Sequence, residues 1–216
     1  MADLYDECLK TLIDEYTAGD FYREIYRAKQ EYFSEFGVVN EDDPDFENQM
    51  DIFMGWYLFD RNLAEFDLAP VKLFYRKHGE ALSDDKRQLY KNLIETNHSI
   101  FETLKRKDEI VILREYSTRK KYEVLDGRYS MGFSKGDIFE ARLIPLPDGK
   151  RHCFAAGFCF HPKESSKFID SQIKKIRHQD ADQRNKLLLM LGKMKLKHKQ
   201  YPHIDVKHIY TLEPKF

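Results

Sequence analysis

Cys153, Cys159 and His161 are the side chains of this sequence best suited by type to hold a metal ion. Thiolate sulfur and imidazole nitrogen are the donors that zinc prefers. On one extended strand the three point to a common face with Ala155 and Gly157, because side chains alternate with a period of two. Six residues of strand nevertheless separate the two thiols by roughly 20 Å, too far for one tetrahedral ion with ~2.3 Å bonds to sulfur. The spacing therefore predicts thiols buried in a β core, with no metal site and no cofactor.

Phosphate chemistry has a second set of candidates. Lys174, Lys175 and Arg177 precede Lys193, Lys195, Lys197 and Lys199, which alternate with Met194, Leu196 and His198. On a helix, every second position spreads around the axis instead of lining one face. The arrangement suits a diffuse phosphate-attracting end better than a helix docked in a groove. Gly157-Phe158-Cys159-Phe160 echoes the G-F-x-F core of an RNA-recognition strand, but a strand apolar on both faces predicts buried rings, and stacking needs exposed ones. Arg114 and Arg119, then Asp126, Ser130 and Gly132, follow the order of a cyclic-dinucleotide-binding PilZ barrel. Those arginines stand one residue too far apart for that pattern, and the Asp–Ser–Gly spacing differs.

Other chemistries lack their spacing. The acidic stretch 38–45 (VVNEDDPD) has no central glycine, as a calcium loop requires, and reads as a solvated loop. The chain contains no G-x-S-x-G, no H-E-x-x-H and no phosphate-cradling glycine loop. Eight histidines are scattered; His198, His203 and His208 share the basic tail, and nothing local holds them together.

These side chains need elements to position them. With 42% hydrophobic and 14% aromatic residues, the 216-residue chain packs a core. Its three cysteines are too few and odd in number for a disulfide framework, which predicts free thiols and a reducing, cytoplasmic setting. The start MADLYDECLK lacks the positive, then apolar, character of a signal peptide, and no apolar run approaches the ~20 residues of a membrane span. Charge is divided along the chain. Residues 1–68 hold 18 acids against 5 bases, residues 69–162 hold 13 against 18, and residues 163–216 hold 6 against 13. Such a split marks either a polyanion-binding end or two ends that attract each other within the fold.

Apolar spacings of three and four predict helices over 3–17, 21–36 and 46–60, the last apolar nearly all round and so central. A short helix follows over 70–78 with Pro70 in its first turn, then one capped by Ser83. After residue 98 the period changes. Short β runs at 110–113, 122–125 and 138–144, a Pro147-Asp148-Gly149 turn and a return strand over 151–160 predict a small curled antiparallel sheet or partial barrel. Helices over 163–178 and 181–199 follow, and the tail 201–216 adds a final strand. The expected class is α+β, in three regions: an acidic helical region (1–97), a β unit (98–162) and a basic helical tail (163–216).

M-D-I-F-M-G-W-Y-L-F-D-R (Met50–Arg61), Leu82–Asp85, Phe101-Glu102, Val111–Arg114, K-G-D-I-F-E-A-R-L-I-P (Lys135–Pro145) and Gly157–Pro162 occur in this order. Over residues 46–162 the order resembles an uncharacterised family of bacterial cytoplasmic proteins, several of which end in a zinc-binding SEC-C motif. No cysteine follows Cys159, so that zinc motif does not carry over. The resemblance implies a shared fold and no assigned activity. It marks Trp56 and Phe59 as packing anchors, Asp60 and Arg61 as caps or pairs at a helix end, Gly136-Asp137 as the turn into a strand, and Arg142 as a partner across the sheet. The leading functional expectation is a non-enzymatic interaction module that binds a protein or polyanion through the basic C-terminal third. An enzyme with a cleft between the helical and β units, using Asp60 and Asp137, is the first alternative; a structural or assembly role, as a dimer, is the second.

Overall fold

A computed structural model describes residues 5–125, 132–176 and 179–213. Arg177, Asp126 and Ser130, singled out above, lie outside the described residues.

The helical half follows its apolar spacing. α1 (Asp6–Tyr16) buries Cys8, Leu12 and Tyr16, each four residues apart, and α2 (Tyr22–Phe36) buries Ala28, Tyr32 and Phe36 in the same way. α3 (Phe46–Phe59) buries Ile52, Phe53, Tyr57 and Leu58 on more than one side, as its all-round apolar character requires. α4 (Pro70–His78) opens on proline. α5 (Asp84–Ile94) starts where the Ser83 hydroxyl accepts the Lys86 N–H.

The β half closes on itself. β1 (Asn97–Lys107), β2 (Ile110–Glu115) and β3 (Lys121–Leu125) form an antiparallel meander. β4 (Ile138–Pro145) returns to pair antiparallel with β1, a Greek-key path. β5 (His152–Phe154) then fits between β3, which it meets in parallel, and β4, which it meets antiparallel. The ring β1-β2-β3-β5-β4 is complete, so the expected partial barrel is a closed one. A register shift between Thr103 and Lys105 bends β1, which lets one strand serve two neighbours around a tight curve. Phe101, Leu113, Val124, Phe139 and Leu143 fill the barrel. The outward residues of β4, Ile138, Glu140, Arg142 and Ile144, are buried as well, because helices cover that wall.

The return strand differs from expectation. It is cut into β5 and β6 (Cys159–His161), and β6 continues along β4 beyond the end of β5. The cut lies at Gly157, with φ of +88°. A β-carbon there would stand 2.8 Å from the backbone nitrogen of Ile52, so the chain turns where it presses against α3, and only glycine fits. Phe160 also departs from expectation: it is 36% exposed.

α6 (Ser166–Ile176) and α7 (Ala181–Gln200) lie over the outer wall, where Ile100 and Ile138 pack with Ile169, Ile173 and Leu191. α7 also touches α2 so closely that a β-carbon on Gly192 would fall 2.5 Å from the Phe36 ring. The described part of the tail forms a short helix, α8 (Val206–Ile209), and not the expected strand. Its short amphipathic run, Val206 to Tyr210, buries Ile209 and Tyr210. Among the described residues no helix is long and apolar enough to cross a membrane.

Candidate functional site

The outer wall of β4 carries a chain of buried polar side chains. Glu140 and Arg142 stand two apart on that strand and face the helices. Opposite Arg142, on β1, is His98. Asp60 arrives from the C-terminal cap of α3, where its N–H still bonds the Trp56 carbonyl at 3.0 Å. His98 Nδ1 lies 3.1 Å from Asp60 Oδ2, and Nε2 lies 2.9 Å from Glu140 Oε1. The Arg142 guanidinium donates to Asp60 and to Thr96 Oγ1, and stacks 4.8 Å from the centre of the Phe59 ring. Two carboxylates thus face a guanidinium and an imidazole in a dry interface between α3 and the barrel.

The electrostatics follow from these contacts. Burial raises the Asp60 carboxyl, but Arg142 and His98 outweigh it and hold the pKa at about 2. Burial and Arg142 both push His98 down, yet a carboxylate on each ring nitrogen lifts it above the usual histidine range. A charged His98 is the state that suits both neighbours. The cost of burying each charge is met by an opposite charge and directed hydrogen bonds.

The chain continues beyond Glu140. In the β4–β6 ladder Cys159 stands opposite Glu140, and His161 is two residues further on the same face. His161 Nδ1 is 3.0 Å from the Tyr210 hydroxyl, just past α8, whereas Nε2 is buried with no partner among the described residues. Burial, with Lys195 adding to it, pushes His161 down to about 3. Burial and the Glu140 carboxylate push the Cys159 thiol well up, with Lys195 opposing them.

A cleft of about 240 Å³ opens between the barrel and α6–α7, lined by His98, Ser117, Thr118, Ile173, Arg184 and Leu187 among others. It is large enough for a small ligand. His98, the one imidazole among the described lining residues, has both nitrogens committed to carboxylates. It therefore offers no lone pair to a substrate in the observed arrangement.

The remaining candidates divide. Trp56 packs against Tyr32 with ring centres 5.2 Å apart, and Phe59 against Arg142. Arg61 reaches Glu31 through Nε at 2.6 Å and Glu24 through Nη1 at 2.7 Å, clamping α3 to α2. Arg142 was expected to pair across the sheet; it pairs off the sheet, with Asp60, because its side chain points outward under α3. Asp137 joins no cluster with Asp60. It accepts the Ser134 N–H at 2.6 Å and faces Lys163, while Gly136, with φ of +82°, makes the turn.

The lysines do not share one face. Lys199 pairs with Asp43, and Lys193 lines a groove with Glu31 and Glu35. Lys195 is half-buried towards Cys159 and His161, and Lys197 is half-buried. Lys174 and Lys175 are exposed on α6. There Asp170 takes both Lys174, at 2.6 Å, and Arg119 from the β2–β3 turn.

His98, Glu140 and Tyr210 escaped the sequence reading. A visible signal existed for Glu140, a charge at an outward position between apolar residues of one strand. Cys159-x-His161 was visible too, but its third partner depends on how β4 pairs with β6. Cys153 is not that partner; it packs with the helical core, opposite Ile144.

Residues 10–190 match the sequence profile of a family of unknown function, DUF7986. The matched stretch contains residues 46–162, over which the sequence resembles an uncharacterised family. No curated protein and no solved structure matches the chain.

Proposed function

The chain belongs to this family of unknown function, so its activity must be argued from its own surface, and we propose that it is a non-enzymatic interaction module that binds a polyanion. The docking surface is the α6 part of the basic C-terminal third together with the β2–β3 edge of the barrel. The carrying observation is Asp170, a single carboxylate shared by Lys174 and Arg119. It joins α6 to the turn, so that Arg119, Lys120, Lys121, Lys174 and Lys175 are exposed on adjoining elements with a surplus of positive charge. Five-stranded Greek-key barrels of the OB type bind oligonucleotides on strands two and three, and Lys121 lies on the third strand here; this is support by architecture alone. The α7 lysines contribute less, because Lys199 is already paired with an acidic loop. A cytoplasmic setting suits the three buried thiols.

Fluorescence anisotropy with a labelled single-stranded oligonucleotide tests the reading. Affinity falls steeply with salt. Lys120→Glu/Lys121→Glu/Lys174→Glu weakens binding at least tenfold and flattens the salt slope by about two to three. Lys193→Glu/Lys199→Glu leaves it nearly unchanged. No salt-dependent binding, or binding untouched by the triple variant, overturns the reading. Binding to polyglutamate but not to the oligonucleotide transfers the surface to an acidic protein partner.

A further inference from the structure

We propose that Glu140, Cys159 and His161 form a buried binding site for a divalent transition-metal ion, with zinc the best match to the donors. One donor atom from each residue lies within 4.8 Å of the other two. Donors around a tetrahedral ion with bonds of ~2.0–2.3 Å are roughly 3.3–3.8 Å apart, so closure asks each side chain to move by well under ~1 Å. The strands supply the alignment, since Glu140 and Cys159 are register partners and His161 follows on the same face.

An independent observation points into the site. His161 is 5% exposed and its Nε2 has no hydrogen-bond partner among the described residues. A buried nitrogen left bare is costly, and a metal ion would engage it. The outer contacts are those a metal centre uses. Tyr210 holds Nδ1 of His161 at 3.0 Å, and with the proton on Nδ1 the lone pair sits on Nε2. His98 holds Oε1 of Glu140, Asp60 holds His98, and Arg142 holds Asp60 in turn. Beside Glu140 and Cys159 is a void of about 10 Å³, bordered also by Tyr32 and His98. One water fits such a space, enough for a fourth ligand.

The three donors bring two negative charges to a divalent ion, one of them, on Glu140, shared with His98. The Cys159 thiol proton leaves to solvent as the sulfur–metal bond forms. Lys195 opposes the ion and Asp45 favours it; both act on Cys159 from a distance. A soft sulfur and an imidazole select zinc over magnesium or calcium, which take oxygen. The ion would join β4 and β6 to the C-terminal end of the chain through Tyr210.

The test is cobalt titration of the chelator-treated, full-length protein, read as thiolate-to-cobalt charge transfer in the near ultraviolet, with zinc as competitor. Stoichiometric cobalt binding displaced by zinc is expected. Cys8→Ser/Cys153→Ser retains the band, since Cys159 is then the sole thiol, and Cys159→Ser loses it. Tyr210→Phe weakens affinity by about 10- to 100-fold. A folded wild-type protein with no charge-transfer band overturns the proposal, as does a band lost in the Cys8→Ser/Cys153→Ser variant while its circular dichroism is native. Should Cys159→Ser fail to fold, those two measurements still decide it.

Discussion

The clamp around Asp60 and the Lys199–Asp43 contact of α7 are both made of paired charges, yet they sit in opposite environments. Asp60, His98, Glu140 and Arg142 are enclosed between α3 and the outer wall of the barrel, with side chains 6–15% exposed. Lys199 meets Asp43 on the surface, with 40% of its side chain in water. The dry set has few alternative partners, so geometry fixes it and each deletion strands a charge. The wet set exchanges partners with water and salt at little cost. Charge counted along the chain does not separate the two; burial does.

The largest effect tests the dry side. Asp60→Asn leaves Arg142 and His98 buried without their shared carboxylate, and stability should fall by about 3–5 kcal/mol. Urea denaturation measures this. A loss under ~1 kcal/mol, the range of exposed pairs, would place the clamp in water and erase the contrast.

Acid provides the second test. The Asp60 pKa is held at about 2 in the folded chain, against ~3.9 in an unfolded one. A depressed carboxyl stabilises above its unfolded pKa, and that contribution disappears as pH falls from ~4 towards ~2. It amounts to about 2–3 kcal/mol. Asp60→Asn should therefore remove part of the acid dependence seen between those values, and equal slopes in variant and wild type would refute the assignment.

The clamp was half legible beforehand. Asp60 and Arg142 lie in the two stretches that carry the family resemblance, and α3 announced its burial by apolar residues on every side. His98 was one histidine among eight, and its role comes from β1 pairing with β4, a contact across more than 40 residues. The same holds for the Glu140–Cys159–His161 group. A straight return strand would have put Cys153 and Cys159 on one face, roughly 20 Å apart, and the break at Gly157 arises from contact with α3, which no local pattern records. The hairpins and most helices were readable because their signals are local: period, caps and turn residues.

Arg61 lies between the extremes, with its own side chain 8% exposed and its partner Glu31 47% exposed. Arg61→Lys keeps the charge but loses the fork that reaches two carboxylates at once. A loss of about 1 kcal/mol is expected, measured against Arg61→Ala under the same conditions. If lysine serves as well as arginine, charge alone suffices there and the site belongs with the wet set.

The smallest effect belongs to Lys199 and Asp43. Hydrogen bonds from Lys199 and from the Asp45 N–H lower the Asp43 pKa, but the pair reaches solvent, with side chains 40% and 24% exposed. Screening and the freedom of the lysine chain offset most of the attraction. Lys199→Ala, Asp43→Ala and the double variant should melt within error of the wild type, at low and at high salt. A double-mutant cycle with a resolvable coupling at high salt would mean that the α7 lysines are locked to the acidic loop as firmly as Arg142 is to Asp60. The acidic front and basic tail would then form one rigid contact, and the α7 lysines would be unavailable to any outside polyanion.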